Sequence, residues 1–194
     1  MSKMTTQELF DFAQERYRQA RRLVTEMIEF VQREHPKFNS KSSYFQFDAI
    51  VQFILLKVAL ADGKFLEIEG EFIDNITDGY DILQLFDSNA DGYDWSFAGA
   101  YMTFEQVKSI VDRVDKLARE HILEFCDMFA EIDLKDRSKN YVWEIYECIK
   151  DVASAFIMAD GNATEKEIAT AVEVVRECLT EPWLAKQNKL KNIH

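Results

Sequence analysis

Proline and glycine are scarce in this sequence, which contains two prolines and six glycines among its 194 residues. Both residue types interrupt helices and form tight turns, so their scarcity argues against a turn-rich β fold and favours long helices. The alternation of apolar and polar residues that is typical of a half-buried strand is also missing. A hydrophobic content of 47%, with 15 phenylalanines, is enough for a buried core. We therefore predict an all-α protein.

Long apolar runs are missing too. The nearest candidate, residues 49–61, is interrupted by Gln52 and Lys57 and is shorter than the roughly 18 residues that a membrane span requires. The first residues of the chain contain no apolar core of the kind found in signal peptides. The three cysteines are widely spaced and form no Cys-x-x-Cys pair, as expected for reduced, buried thiols. These features predict a cytoplasmic protein with no membrane partner.

Basic residues are outnumbered, since 23 Lys and Arg stand against 35 Asp and Glu, for a formal net charge of −12. Most of the excess lies in residues 62–94, which contain ten acidic residues and one basic residue. Nucleic acids are bound through clustered Lys and Arg, so this distribution argues against a nucleic-acid partner. A cation or a basic protein surface is a better candidate for the binding partner.

Sequence signatures of several enzyme classes are absent. The histidines, His35, His121 and His194, form no His-x-x-x-His or Glu-x-x-His pair, so a zinc or di-iron site is not indicated. The chain also has no glycine-rich phosphate loop and no Gly-x-Ser-x-Gly turn. The sequence therefore predicts no catalytic residue.

What the chain does contain is an internal repeat. Ala61-Asp62-Gly63 recurs 98 residues later as Ala159-Asp160-Gly161, and glutamates follow each aspartate five and seven positions on. A gapless shift of 98 residues aligns 4–80 with 102–178 and gives 13 identities in 77 positions. Self-similarity at a fixed spacing indicates duplication. We predict one helical domain over 1–194, built from two three-helix halves related by a pseudo-twofold axis.

Both halves predict the same order of helices. A long amphipathic helix comes first, then a strongly apolar helix, and then a short helix after the Ala-Asp-Gly loop. The two strongly apolar helices should pack at the centre of the domain. The predicted helices cover about 6–34, 44–61 and 67–76 in the first half and about 103–134, 141–159 and 164–179 in the second half.

Two segments have no counterpart in the repeat. Residues of about 77–100 form an acidic insertion between the halves. Residues 182–194 form a basic tail with Lys186, Lys189 and Lys191. Because proline breaks a helix, we expect Glu181-Pro182 to end the last helix and to begin this tail.

The two Ala-Asp-Gly loops are the leading candidate site. An aspartate at the C-terminal end of a helix is disfavoured by the helix dipole, so a local contact must offset this effect. The structural explanation, which we favour, is that each Asp accepts backbone N–H bonds from the turn or the next helix, and that Thr164-x-x-Glu167 also forms a capping box in the second loop. In the functional explanation, Asp62 and Glu69, and likewise Asp160 and Glu167, supply oxygen ligands to a divalent cation such as Ca²⁺ or Mg²⁺.

A second candidate metal site lies in the acidic insertion. Asp87, Asn89 and Asp91 match the first ligand positions of an EF-hand calcium loop, and Gly92 matches its glycine. The twelfth position is Ala98, where the EF-hand has a bidentate glutamate, so the strongest ligand is missing. A solvated turn is the preferred interpretation, and a calcium site is the alternative.

A buried helix that ends in Ala-Asp-Gly, followed by an acidic helix start, resembles the tellurite-resistance TerB-like family. The resemblance covers about 5–180 and is carried by Ala61-Asp62-Gly63 with Glu69 and by Ala159-Asp160-Gly161 with Glu167. It implies an all-helical fold with an internal pseudo-twofold axis, a link to tellurite and general stress responses, and a cation or partner site at the acidic loops. The chain departs from the pattern at Leu66, where the second half has the polar residue Thr164.

Together these features favour a non-catalytic, TerB-like stress-response or interaction protein that binds a divalent cation, a basic protein surface, or both. Two alternatives stay open. One is a metal-dependent enzyme that uses the Asp62 and Asp160 loops, although the sequence shows neither a further base nor an open metal position beside them. The other is a structural module that has no ligand.

Overall fold

The computed structural model describes residues 4–38, 40–77, 102–135 and 140–191. Within these ranges the chain is helical and contains no strand, so the all-α prediction is confirmed. A 3₁₀ turn, Leu60–Asp62, follows the second helix, and a π-helical segment, Arg176–Thr180, precedes the last one. The α-helices of the described residues are α1 (Thr6–Glu34), α2 (Ser40–Ala59), α3 (Glu67–Ile76), α4 (Phe104–Lys135), α5 (Tyr141–Met158), α6 (Glu165–Val175) and α7 (Glu181–Lys191).

The two long helices begin in the same way. At the start of α1, the Glu8 carboxylate accepts from the Thr5 N–H (2.7 Å) and the Thr5 hydroxyl accepts from the Glu8 N–H (3.3 Å). At the start of α4, Gln106 and Thr103 make the corresponding pair of bonds at 2.8 and 3.3 Å. Such reciprocal caps satisfy N–H groups that the first helical turn leaves unpaired. None of the described helices combines the length and the hydrophobicity that crossing a bilayer requires.

The core forms where each long helix packs against the apolar helix of the other half, α1 against α5 and α4 against α2. The predicted central position of α2 is confirmed, because α2 is buried on nearly all sides and also contacts α1, α5 and α6. Helix α5 buries only one side, since Trp143, Ser154 and Met158 are exposed on the other. The buried apolar residues of α2 are Phe47, Ala49, Ile50, Val51, Phe53, Ile54, Leu55, Leu56, Val58 and Ala59.

Aromatic rings connect the helices through the core. The ring of Phe47 on α2 lies 5.9 Å from that of Tyr17 on α1 and 5.9 Å from that of Phe125 on α4. Phe125 in turn contacts Phe129 edge to face at 4.3 Å. Aromatic pairs in such geometries add about 0.5–1.5 kcal/mol each beyond the apolar area that they bury. This series of rings therefore joins the two halves of the chain.

A carboxylate lies inside this apolar core. Asp48 of α2 is fully buried, and it accepts hydrogen bonds from the Tyr17 hydroxyl and from the Arg21 guanidinium, the latter at 3.1 Å. Arg21 also packs over the ring of Tyr44. A buried charge is tolerated only when it is paired and hydrogen-bonded, and two donors from α1 fulfil that condition here. The contact thereby fixes the position of α1 along α2.

The C-terminal segment differs from its prediction. Glu181-Pro182 was expected to end the helix, and this is wrong, because Pro182 is the second residue of α7. The backbone stays helical from Arg176 to Glu181, and the Glu181 N–H donates to the Arg176 carbonyl five residues earlier, so a wider π-helical turn directly precedes the proline. The buried Cys126 thiol lies within donating distance of the carbonyl oxygens of Cys178 (3.5 Å) and Leu179 (3.7 Å) in the π-helical segment.

The cysteines match their prediction as buried free thiols. Cys126, Cys148 and Cys178 are all buried and unbridged. Burial raises the pKa of each thiol, and that of Cys178 reaches about 12. Since the thiolate is the reactive form, these groups are poor nucleophiles at neutral pH.

We expect Asp48→Ala to lower the free energy of unfolding by about 1–3 kcal/mol, because it leaves the buried Tyr17 hydroxyl and the Arg21 guanidinium without this acceptor. Urea denaturation followed by circular dichroism measures the change. Asp112→Ala is the control, since Asp112 only forms an exposed pair with Lys108 and should change stability by less than about 0.5 kcal/mol. Equal effects of the two variants would contradict the role of Asp48.

A second test concerns Asp133, a buried residue of α4 that accepts the Tyr141 N–H at 2.8 Å. Burial raises the pKa of Asp133 above its usual value of 3.8. The folded state therefore binds this proton more tightly than the unfolded state, so the contribution of Asp133 to stability grows as the pH falls through the raised pKa and is lost at neutral pH. Asp133→Asn removes this loss, so its unfolding free energy should increase relative to that of Asp112→Asn as the pH rises from about 4 to 7; a difference between the two variants that does not change with pH would refute the assignment.

Candidate functional site

Both Ala-Asp-Gly loops place their glycine in the left-handed backbone region. Gly63 has φ = 87° and Gly161 has φ = 81°. Residues other than glycine rarely adopt this backbone conformation, which reverses the direction of the chain after a helix. The glycines therefore account for the sharp exit from α2 and from α5 that the repeated tripeptide predicts.

In the second loop the acidic side chains bond to local backbone. The Asp160 carboxylate accepts from the Asn162 N–H at 2.8 Å. The Glu167 carboxylate accepts from the Thr164 N–H at 2.7 Å, and the Thr164 hydroxyl accepts from the Glu167 N–H at 3.1 Å. This is the reciprocal cap predicted by Thr164-x-x-Glu167, and it keeps Glu167 buried at the start of α6.

The first loop repeats half of this arrangement. The Glu69 carboxylate accepts from the Leu66 N–H at 2.6 Å, and Glu69 is buried at the start of α3. Leu66 has no hydroxyl with which to return the bond, so the departure from the repeat at this position leaves a one-sided cap. Asp62 ends the 3₁₀ turn after α2, and its side chain lies outside the described part of the structure.

The cation hypothesis for these loops stays a prediction. Among the side chains that the structure describes, no group of three or more His, Cys, Asp or Glu could hold a metal ion. Asp87, Asn89 and Asp91 lie outside the described residues. Glu69 and Glu167 each direct a carboxylate oxygen to a backbone N–H, as the structural explanation requires.

A cleft with a volume of about 650 Å³ lies elsewhere, between the C-terminal part of α1, the N-terminal part of α2 and the second half of α4, with α7 at its edge. Its floor is apolar, with three phenylalanines among six apolar residues, whereas its rim is charged. We call it the rim cleft. The apolar residues that line it are Phe30, Val31, Phe38, Phe125, Met128 and Ile132.

Acidic residues outnumber basic ones around the rim cleft. Four carboxylates line it, against two lysines, which gives −2 when His35 is neutral. Two of the carboxylates are paired, Glu34 with Lys135 at 2.5 Å and Asp127 with Lys186 at 3.1 Å. The hydrogen bond from Lys135 lowers the pKa of Glu34. Glu34 therefore keeps its charge to lower pH than an isolated glutamate would.

The other two rim carboxylates, on Glu124 and Glu131, are more exposed to solvent. Glu131 lies 3.8 Å from Lys186, beyond hydrogen-bond distance, and Glu124 lies 3.3 Å from the Nδ1 atom of His121. Their side chains are 57% and 68% exposed, respectively. Glu124, Asp127 and Glu131 are spaced three and four residues apart, so they share one face of α4. They form an acidic row beside the aromatic floor.

Sequence reasoning did not find this cleft. One sequence feature could have indicated the cleft, namely the acidic residues Glu124, Asp127 and Glu131 beside apolar residues of α4. Charged residues on one face of a helix usually mean only that this face is exposed to solvent. The residues that line the cleft come from 30–46, from 124–135 and from Lys186, and no short motif connects these three parts of the chain. Only the packing of α1 and α2 against α4 brings them together.

Comparison of this chain with protein-family models, with curated proteins and with solved structures finds no match. The TerB-like assignment accordingly rests on the residues of the two Ala-Asp-Gly loops.

The role of Glu167 as a helix cap after the second Ala-Asp-Gly loop can be tested directly. We expect Glu167→Ala to lower the free energy of unfolding by about 0.5–2 kcal/mol and Glu167→Gln to lower it less, because the amide oxygen still accepts the Thr164 N–H. Glu173→Ala, an exposed change on the same helix, is the control. Melting temperatures are compared with and without millimolar Ca²⁺ or Mg²⁺. A cation-dependent rise in the melting temperature that Glu167→Gln abolishes would instead support a cation site.

Proposed function

We propose that this protein is a non-catalytic, TerB-like interaction protein that holds a basic segment of another protein in the rim cleft. The observation that carries the proposal is the acidic rim around an aromatic floor. By its resemblance to the TerB-like family, we place the interaction in a stress response. The crossed packing of α1 with α5 and α4 with α2, and the matched caps of α1 and α4, support the two-half pseudo-twofold arrangement.

The floor supplies the larger part of the binding energy. Removing apolar surface from water contributes about 25 cal/mol per Å², and aromatic side chains are rich in such surface. A cleft of 650 Å³ lies within the range of volumes that hold compact ligands or a few side chains. The partner should therefore present apolar side chains to Phe30, Phe38 and Met128.

The rim determines which partners are accepted. Exposed ion pairs contribute about 0.2–1 kcal/mol each, so Glu124 and Glu131 alone cannot hold a partner. They favour a cationic partner over an acidic one and speed its approach, and this effect weakens with salt. An amphipathic segment with Lys or Arg on one side meets both requirements.

The loops are assigned a different role. The local backbone bonds of Asp160 and Glu167 favour capping, so we do not propose metal-dependent catalysis at these residues. On this proposal the repeated tripeptide stabilises the fold, whereas the partner is held by helices that flank it.

The test uses a fluorescein-labelled helical peptide made of Lys and Leu, with a Lys-only peptide of equal charge for comparison. Fluorescence anisotropy should show tighter binding of the Lys-Leu peptide and weaker binding at higher salt. Glu124→Gln/Glu131→Gln should weaken binding about 2- to 30-fold, as expected for two exposed pairs of ~0.2–1 kcal/mol each.

The matched control is Asp112→Asn/Glu120→Gln, which removes the same charge from α4 outside the rim cleft. This control should bind like the wild type apart from a small general charge effect. Equal weakening by both double variants would show that only net charge matters. Equal binding of the two peptides would show that the aromatic floor takes no part.

A further inference from the structure

Helix α7 places a lysine at the edge of the rim cleft. The Lys186 ammonium donates to the Asp127 carboxylate at 3.1 Å and lies 3.8 Å from that of Glu131. Asp127 and Glu131 are one helical turn apart on α4, so both can face the same ammonium. The side chain of Lys186 is 23% exposed, whereas that of Lys135, the other lysine of the rim, is 52% exposed. The acidic row therefore already holds a cation.

The position of Lys186 limits how much of the acidic row a partner can use. The row spans about 10 Å of α4, since a helix rises about 1.5 Å per residue. A basic helix can match such a row with Lys or Arg residues spaced three and four positions apart. Lys186 contacts Asp127 and Glu131, whereas the contact of Glu124 is with His121. A partner that binds along the whole row must therefore take the place of Lys186.

Another side chain of α7 holds the helix in place. Trp183 lies one turn before Lys186 on the same side of α7 and is buried. The helix packs against α4 and against the π-helical segment. Leu184 and Asn188, on its other sides, are exposed. The loss of the Lys186 contact should therefore leave α7 docked, so that this one side chain can be released by itself.

A lysine of the same chain is difficult for a simple cation to replace. Because Lys186 is tethered beside the row, its effective concentration there is high, and a single lysine in solution must compete against it. A segment that also places apolar side chains on the floor of the cleft gains a second source of binding energy. Such a segment can displace Lys186, whereas scattered basic residues cannot.

We propose that Lys186 is a built-in competitor for the acidic row, an autoinhibitory contact that a basic partner must displace in order to bind along α4. The inference rests on the function proposed above for the rim cleft. It gives the cleft selectivity for segments that are both basic and apolar. Because the coupling between two contacts is reciprocal, a bound partner weakens the Lys186 contact by the same factor by which that contact weakens the partner.

The affinity test uses the fluorescein-labelled Lys-Leu peptide. Lys186→Gln should tighten its binding about 2- to 5-fold, the range of one partly exposed ion pair, because it frees Asp127 and Glu131. The matched control is Lys108→Gln, which removes the same charge and frees Asp112 on the same helix, outside the rim cleft. It should tighten binding less than about 1.5-fold, as a distant and screened charge does. Circular dichroism checks that both variants fold.

Acetylation of lysines distinguishes displacement of Lys186 from simple charge repulsion. The cleft is saturated with an N-acetylated Arg-Leu peptide, whose side chains do not react, and the protein is treated briefly with acetic anhydride. Mass spectrometry should show that the peptide raises the acetylation rate of Lys186 about 2- to 5-fold, the factor that reciprocity requires. The rate at Lys108 should not change. A rim lysine that stays in place would instead be covered by the peptide and react more slowly.

The outcomes separate this inference from the function on which it rests. If neither the wild type nor Lys186→Gln binds the Lys-Leu peptide, the proposed function of the cleft is wrong, and so is the inference. If the peptide binds through Glu124 and Glu131 but Lys186→Gln behaves like Lys108→Gln, the cleft keeps its function and the competition is refuted. Slower acetylation of Lys186 in the presence of the Arg-Leu peptide also overturns it, because the partner then lies over an intact contact.

Discussion

The fold depends on the burial of α2 by the helices that surround it. Its surface is apolar in nearly every direction, so it cannot lie at the edge of the molecule, and α1, α4, α5 and α6 all pack against it. Its one fully buried carboxylate, on Asp48, must then find donors inside the core, and Tyr17 and Arg21 of α1 supply them. Hydrophobic burial thus places α2, and a polar contact fixes the helix beside it.

The sequence was most informative where a local rule decides the structure. The predicted bounds of α1 and α3 match the structure to the residue, and Gly63 and Gly161 lie at the turns. The continuation of the helix through Pro182 was missed because proline usually breaks a helix, whereas here a π-helical segment directly precedes it and keeps the backbone helical. That segment depends on tertiary contacts, including the one with Cys126.

The candidate sites also differ in whether local sequence or tertiary packing determines them. The cap at Glu167 follows from Thr164-x-x-Glu167, a pattern within four residues, so it could be predicted, whereas Leu66 concealed the cap at Glu69. The rim cleft could not, because Phe38, Met128 and Lys186 meet only after the helices have packed. The exposure of Ile168 and Val172 could not be predicted for another reason. Ile168 and Val172 fit the helical period of a buried stripe, and the sequence does not tell which apolar side of a short helix faces the core.

The crossed packing of the halves also has a consequence for synthesis. Helix α2 ends at Ala59, whereas α5, one of the helices that cover it, ends at Met158, 99 residues later. At about 5–20 residues per second, the ribosome takes about 5–20 s to add those residues. During that interval the strongly apolar α2 lacks the cover that α5 and α6 provide. Chaperones that bind exposed hydrophobic segments would therefore have a target in the nascent chain until α5 and α6 have been made.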